Sequence, residues 1–307
     1  MLPEKPWTAD AILRLFARVL VCVVLGSLLS SALAVVGGPR HPHTARFLVL
    51  VAATFGFFLG ALFILGRPWR LETFTRNLIA LAVCFYGGLG LTWWVMRSSD
   101  FPTGAESSPA TVLIAVLSFE GAACALICRF LREQRIGWTE AFGFDIEWKR
   151  ALWLGALAAV VFLCVGLLLQ SVSVQVLERL HLQAKEQTVV EVLQTSGSWP
   201  NRLVIGAAAI LLAPLAEEML FRGILYPAIK QAGFPRLALW GTALAFGAVH
   251  VNLASFVPLT VLALLLTWLY EKTGNLLAPI ATHSLFNALN FVLLYVSESL
   301  HLPHAKP

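Results

Sequence analysis

Long apolar segments recur along the whole chain and determine its fold class. Nine segments are apolar enough to enter a bilayer, and all but the eighth approach the length of about 20 residues that a membrane-spanning helix needs. The nine segments are residues 12–36, 46–66, 77–96, 110–131, 151–173, 203–226, 237–255, 256–271 and 276–297. They predict an all-α fold: a polytopic transmembrane helical bundle of about eight to nine spans.

Composition supports this class and excludes a nucleic-acid partner as the reason for the basic charge. Hydrophobic residues make up 58% and charged residues 13% of the chain, compared with about 45–50% and 25% in soluble domains. In such a chain, a net charge of +5 indicates topology, because lysine and arginine collect in cytoplasmic loops. Their distribution favours an integral protein of the cell membrane whose N-terminus is cytoplasmic and whose C-terminus is outside.

Two polar connections interrupt the apolar pattern. Residues 132–150 separate four N-terminal spans from five C-terminal ones. Residues 174–202 contain apolar side chains at roughly helical spacing. This second stretch predicts an amphipathic helix at the outer interface, with an ordinary solvated loop helix as the alternative.

Ionisable and polar residues within the apolar segments are the functional candidates, because each is costly to bury in lipid. The N-terminal half contributes Glu120 alone. The C-terminal half contributes Glu217, Glu218 and Arg222 in the sixth segment, His250 in the seventh, and His283, Asn287 and Asn290 in the ninth. At 1.5 Å per residue, the three segments place these side chains at depths compatible with one cavity in the cytoplasmic half of the membrane.

The spacing of the sixth segment gives its two carboxylates different surroundings. Glu218 and Arg222 are four residues apart, so they share a helix face and can form an ion pair. Glu217 is rotated by about 100° from its neighbour and is therefore free to do something else. His283 and Asn287 are also four residues apart and project together.

This set of side chains suits hydrolysis of an amide bond. A glutamate and a histidine that converge on one water form a general-base pair, and a second histidine with an asparagine amide can donate hydrogen bonds to a developing oxyanion. Two histidines and a carboxylate could equally hold zinc with an open position. The sequence contains no H-E-x-x-H motif, and the residues alone leave both chemistries open. A structural Glu–Arg clamp with packing histidines is the non-functional alternative.

Three motifs in this order resemble the CAAX protease and bacteriocin-processing family of intramembrane endopeptidases. They are E-E-x-x-x-R at 217–222, F-x-x-x-H at 246–250 and H-x-x-x-N at 283–287. The stretch 271–287 is also typical of that family. The resemblance covers roughly residues 135–297, and the first four spans carry no family signal.

The resemblance implies a hydrolase that cleaves a peptide bond of a membrane-associated protein or peptide, prenylated in the eukaryotic members. By motif match, Glu217 activates a water with the help of His250, and His283 and Asn287 stabilise the oxyanion. Glu218 and Arg222 would form the supporting pair. No cofactor is favoured, although a zinc-dependent form of the same protease is an alternative.

The predicted spans, together with the resemblance, predict a domain organisation and the partners. Residues 1–131 form a four-helix membrane region of unknown role, and residues 132–150 a cytoplasmic connector. Residues 151–297 form the catalytic membrane core, and residues 298–307 a tail. The expected partners are the bilayer and a peptide or protein substrate.

Two further hypotheses concern the function. One is a non-catalytic immunity or scaffold protein that binds a peptide in the same cavity. The other is a proton-coupled transporter, which the lack of an inverted repeat disfavours.

Overall fold

The computed structural model describes residues 4–37, 44–67, 73–98, 109–183, 187–195 and 198–299. All regular elements in these ranges are helical, which confirms the all-α class. The α-helices are α1 Ala9–Gly37, α2 Thr44–Leu65, α3 Phe74–Ser98, α4 Pro109–Val116, α5 Ala122–Gln134, α6 Trp138–Phe142, α7 Trp148–Arg179, α8 Thr188–Thr195, α9 Trp199–Ala207, α10 Ala213–Glu218, α11 Tyr226–Gln231, α12 Pro235–Val249, α13 Leu253–Thr273 and α14 Leu277–Ser299. Three π-helical segments continue these helices without a break: π1 Leu117–Gly121, π2 Ala208–Leu212 and π3 Met219–Leu225.

Eight helical stretches within the described ranges are long and apolar enough to cross a membrane. They are Ala9–Leu33, Phe47–Leu65, Phe74–Leu91, Pro109–Gln134, Trp148–Arg179, Trp199–Gln231, Leu253–Thr273 and Leu277–Val296. This count agrees with the predicted polytopic bundle, and the chain is an integral membrane protein.

The predicted boundary between the seventh and eighth segments, near Ser255 and Pro258, is wrong. Helix α12 already ends at Val249, and α13 begins at Leu253 with Pro258 inside it. The helix starts early because the Asn252 side chain accepts a hydrogen bond from the Ser255 amide at 2.9 Å and so caps it. With 15 residues, α12 is about 22 Å long, shorter than the hydrocarbon core.

The predicted amphipathic helix between residues 174 and 202 is also wrong in its N-terminal part. Helix α7 runs for 32 residues, to Arg179, so that part belongs to the preceding span. No glycine or proline interrupts the sequence between Gly166 and Gly197, and nothing therefore ends α7 where its apolar run ends. Among the described residues after α7, α8 forms a separate short helix, and α9 begins at Trp199.

The described chain forms two compact units, residues 10–126 and residues 1–9 together with 127–307. In the first unit, α2 packs along α3, and an apolar core including Val21 and Phe58 joins α1 to them. Arg18 of α1 is buried and donates through Nε and Nη2 to the Leu65 carbonyl, at 2.9 and 2.5 Å. The predicted domain limit at residues 131–132 stays a prediction.

In the second unit, α7 and α14 pack closely along each other. Gly155 makes the approach possible, since a β-carbon there would lie 2.6 Å from the Ala278 carbonyl oxygen. Thr282 of α14 fixes the contact, with its hydroxyl 3.0 Å from the Gly155 carbonyl and 2.9 Å from that of Ala278. Helix α13 packs against α7, α12 and α14 and lies inside this bundle.

The connector, residues 132–150, is part of the second unit and packs against the turn between α13 and α14. The Phe142 carbonyl accepts a hydrogen bond from the Leu276 amide at 2.9 Å, and the Asn275 side chain donates to the Ile146 carbonyl at 2.7 Å. Both contacts hold the connector against the turn between α13 and α14. The Phe142 ring also lies over Gly223 of π3, so closely that a β-carbon there would be 2.5 Å from it.

Residues near the N-terminus also contact the connector. Lys5 is buried and donates to the Ala141 carbonyl at 2.7 Å. Trp7 packs against Phe130 with ring centroids 5.6 Å apart. Burial lowers the pKa of Lys5 from 10.5 to about 8, against the opposing effect of the Glu140 carboxylate.

Candidate functional site

The candidate residues of the sixth, seventh and ninth predicted segments lie on three neighbouring elements of the second unit. Glu217 and Glu218 end α10, and Arg222 follows in π3. His250 is the C-cap of α12, and His283 lies in the first half of α14. Glu120 lies in π1 of the other unit.

Glu218 and Arg222 form the predicted ion pair in full burial. Arg222 Nη1 donates to Glu218 Oε1 at 2.7 Å, with side-chain exposures of 1% and 0%. Arg222 Nη2 donates to the Ala263 carbonyl of α13 at 3.2 Å. A charged pair at this depth persists only where further hydrogen bonds stabilise it, and the Ala263 carbonyl provides one of them.

His283 connects α14 to this pair. Its Nδ1 lies 3.0 Å from Glu218 Oε1. Because the carboxylate that pairs with Arg222 can only accept, Nδ1 carries the hydrogen and Nε2 is the atom left for other partners. The sequence placed His283 with Asn287 and did not predict that it bonds Glu218.

Glu217 has a different environment from its neighbour. It is 6% exposed, and its buried Oε2 accepts no hydrogen bond from the described residues. His283 Nε2 lies 4.0 Å from this Oε2. This separation is too long for a direct hydrogen bond and suits a single water that bonds both atoms.

His250 contacts the ring of Phe246, which also contacts His283. Its Nδ1 lies 2.8 Å from the Phe246 carbonyl, which can only accept, so Nε2 holds the lone pair of the neutral imidazole. The Phe246 ring lies 5.0 Å from the His250 ring and 5.7 Å from the His283 ring. No direct hydrogen bond or ion pair joins His250 to Glu217, so their action on one shared water stays a prediction.

Asn287 also has a partner that the sequence did not reveal. Its Nδ2 donates to the Ala209 carbonyl of π2 at 2.9 Å. A π-helical turn widens the helix and leaves carbonyls without their usual partner four residues on. Asn287 satisfies one of them and retains its second amide hydrogen. Asn290 instead bonds the Phe286 carbonyl of its own helix.

The zinc alternative finds no ready site here. Among the described residues, no three His, Cys, Asp or Glu side chains come together as a metal site requires. Both histidines use Nδ1 within the protein, which leaves Nε2 of each as its remaining ligand atom.

The comparisons with known proteins concern the same region. Residues 199–289 match the family model described as type II CAAX prenyl endopeptidase Rce1-like. The chain is 28% identical over 170 residues to UPF0177 protein YaiF of Lactococcus lactis subsp. lactis (strain IL1403), which covers 54% of this chain and 73% of YaiF. It is 37% identical over 83 residues to the uncharacterized protein YpbD of Bacillus subtilis (strain 168), covering 26% of this chain and 40% of YpbD. No solved structure matches the chain significantly.

Proposed function

We propose that this chain is an intramembrane endopeptidase, because residues 199–289 match the model of the Rce1-like CAAX prenyl endopeptidases, a family of proteases. It would hydrolyse a peptide bond of a membrane-associated protein or peptide, with a water activated by Glu217. A C-terminal prenylated CAAX sequence is the substrate class that the family name suggests.

The contrast between the two adjacent glutamates carries this proposal. Arg222 and His283 both bond Glu218 Oε1, which makes Glu218 a structural carboxylate. Glu217 lies next to it and is also buried. Oε2 of each glutamate accepts no hydrogen bond from the described residues, but only Glu218 is bonded by an arginine and a histidine. A buried carboxylate that no charged group bonds takes up a proton more readily, so Glu217 is the better general base.

In the proposed reaction, Glu217 takes a proton from the water as its oxygen attacks the peptide carbonyl carbon. The carbonyl oxygen becomes an oxyanion. Collapse of the tetrahedral intermediate breaks the C–N bond, and the proton on Glu217 passes to the leaving amine. The products are one peptide with a new carboxylate and one with a new amine, with Glu217 ionised again.

His283, Asn287 and His250 would act around this centre. In its charged form, His283 has a proton on Nε2 to donate to the oxyanion, and Asn287 has one amide hydrogen beyond the one that bonds Ala209. His250 would accept a hydrogen bond from the water through Nε2, since Nδ1 is engaged. This last contact requires the substrate-bound site to be tighter than the free one, as is common for catalytic hydrogen bonds.

We favour a metal-independent mechanism for the same chemistry. A glutamate and histidines can activate water without a further ligand, and the described residues offer no three-ligand cluster. The measurement is metal content of the purified protein together with cleavage in the presence of a chelator. Stoichiometric zinc with chelator-sensitive cleavage would overturn this part of the proposal and leave the site itself in place.

The distribution of lysine and arginine further supports a site that opens to the cytoplasm. Single cysteines at Lys272 and Leu182, in a chain whose five native cysteines are replaced, test this orientation. Both positions are exposed, and Leu182 follows the C-terminus of α7, whereas Lys272 lies beside Glu147 and Arg150 at its N-terminus. In intact cells, an impermeant maleimide is expected to label position 182 and to leave position 272 unlabelled, and the reverse pattern would exclude the orientation.

The central experiment uses purified protein in lipid nanodiscs with two internally quenched peptides. One ends in a farnesylated Cys-aliphatic-aliphatic-Met sequence, and the other is the same peptide without the farnesyl group. Glu217→Gln is expected to lower kcat by roughly 10²- to 10⁴-fold while the protein inserts and folds normally. Glu120→Gln is the matched control, because it removes a membrane-helix carboxylate from the other unit.

Two outcomes count against the proposal. Full cleavage by a well-folded Glu217→Gln protein would remove Glu217 from the mechanism. Peptide binding by the wild-type protein without any cleavage product would favour the non-catalytic immunity or scaffold protein instead.

A further inference from the structure

We propose that Phe246 is a positioning residue of this site: its ring holds the Arg222 guanidinium and the His283 imidazole, and its carbonyl orients His250. Phe246 is fully buried. It touches three of the candidate residues but has no group that can take part in the reaction. Its role in catalysis rests on the proposed function, whereas its effect on side-chain geometry does not.

The contact with Arg222 is a cation–π interaction. The guanidinium carbon lies 4.4 Å from the Phe246 ring centroid. Nη1 donates to Glu218 and Nη2 to the Ala263 carbonyl, whereas Nε has no hydrogen-bond partner among the described residues. The Phe246 ring covers the guanidinium without competing for these hydrogen bonds. An aromatic ring attracts a cation through its quadrupole, and more strongly in a site without water, whereas an aliphatic side chain would only fill the space.

The same ring also determines where the two histidines lie. It meets His283 at 70° and 5.7 Å, an edge-to-face geometry, and His250 at 54° and 5.0 Å. Such contacts favour one orientation of each imidazole beyond the effect of packing alone. The Phe246 carbonyl adds the hydrogen bond that assigns the hydrogen of His250 to Nδ1.

These contacts connect Phe246 to Glu217 through three other side chains. The Phe246 ring holds Arg222, Arg222 holds Glu218, and Glu218 holds His283, whose Nε2 faces Glu217 at 4.0 Å. Removal of the ring is therefore expected to loosen groups that Phe246 does not touch.

Phe221 provides the matched control. It packs edge-on against Phe246 at 5.4 Å and 83°, and it is almost fully buried. Among the described residues, no ring-stacking or cation–π contact joins the Phe221 ring to Arg222, His250 or His283. Phe221→Leu thus removes a similar buried ring from the same cluster without removing the contacts that carry the proposal.

The first measurement does not depend on activity. Nitrogen-15 NMR of histidine-labelled protein in nanodiscs distinguishes Nδ1–H from Nε2–H imidazoles, and His250→Gln and His283→Gln assign the two signals among the seven histidines. Phe246→Leu is expected to broaden or shift both signals, and Phe221→Leu to leave both at their wild-type positions. Equal changes in the two variants, or none in Phe246→Leu, would reduce Phe246 to an ordinary core residue.

The second measurement uses the farnesylated peptide. Phe246→Leu is expected to lower kcat roughly tenfold or more with KM nearly unchanged, and Phe246→Trp, which keeps an aromatic face, to retain more of kcat than leucine does. Trifluorophenylalanine at position 246 keeps the ring but weakens its attraction for cations, and kcat is expected to fall between those of phenylalanine and leucine. Equal kcat for the fluorinated and native rings would overturn the cation–π role.

The two measurements separate the two proposals. If the wild-type protein cleaves no peptide, the proposed function fails, and the NMR comparison still decides whether Phe246 positions the histidines. If cleavage depends on Glu217 but not on the ring at position 246, only the positioning role fails.

Discussion

His283 Nδ1 and Glu218 Oε1 lie 3.0 Å apart, although 65 residues separate them along the chain. The contact joins α14 to the ion pair at the end of α10, and it fixes which nitrogen of His283 faces Glu217. One residue of the E-E-x-x-x-R motif therefore orients a residue of the H-x-x-x-N motif. In the proposed function, Glu218 therefore orients the site residues, and Glu217 acts on the water.

Glu218→Gln is expected to destabilise the protein, unlike Glu217→Gln. It leaves Arg222 as a buried cation without its counter-charge, which costs about 3–5 kcal/mol. The double variant Glu218→Gln/Arg222→Met removes both charges and is expected to recover much of the thermal midpoint without recovering cleavage. Thermal unfolding of the single and double variants in one detergent checks this. Equal midpoints for Glu218→Gln and wild type would show that the pair contributes no stability.

Gly223→Ala is expected to destabilise the protein and to displace π3, which carries Arg222. A β-carbon there would lie 2.5 Å from the Phe142 ring, which is fully buried and cannot move aside. Such overpacking costs about 1–3 kcal/mol, and here it would push on π3 directly after Arg222. Phe142→Leu in the same chain is expected to relieve part of the loss. The comparison of thermal midpoints is decisive, because a double variant no more stable than Gly223→Ala would mean that the strain lies elsewhere.

The sequence predicted the parts of this site that depend on local helix geometry. The spacing of Glu218 and Arg222 predicted their pairing, and the 100° between neighbours predicted a separate environment for Glu217. Apolar run length predicted most of the spans. Each of these inferences needs only the helical repeat and the cost of burying charge.

Contacts between distant segments were not accessible in the same way. That Glu218 binds His283, and that Asn287 binds the Ala209 carbonyl, depends on how α14 packs against α10 and π2. The π-helical segments change the helical repeat locally, so spacing rules that assume 3.6 residues per turn fail there. The early end of α12 depends on backbone geometry at Val251 and on the Asn252 cap, and the apolar pattern carries no sign of either.

Val251→Gly is expected to stabilise the turn that follows His250. Val251 has a φ of 48°, which β-branched residues rarely adopt, and its side chain is 92% exposed, so little packing is lost. Relief of the left-handed strain is worth about 1 kcal/mol, less the entropy that glycine loses on folding. A raised thermal midpoint is the expected result. Val257→Gly, at an exposed position within α13, is the control and is expected to lower the midpoint.

The buried amine of Lys5 predicts a specific dependence of stability on pH. Its folded-state pKa of about 8 lies below the 10.5 of an exposed lysine, so between these values the unfolded chain holds a proton that the folded chain has released. Proton binding then favours unfolding, and stability rises with pH across this interval. We expect the thermal midpoint of the wild type to rise between pH 8 and pH 10 relative to that of Lys5→Met. Lys149→Met, at an exposed position, is the matched control and is expected to follow the wild type. Parallel pH profiles for wild type and Lys5→Met would mean that Lys5 is solvated and does not fasten the N-terminal residues to the connector.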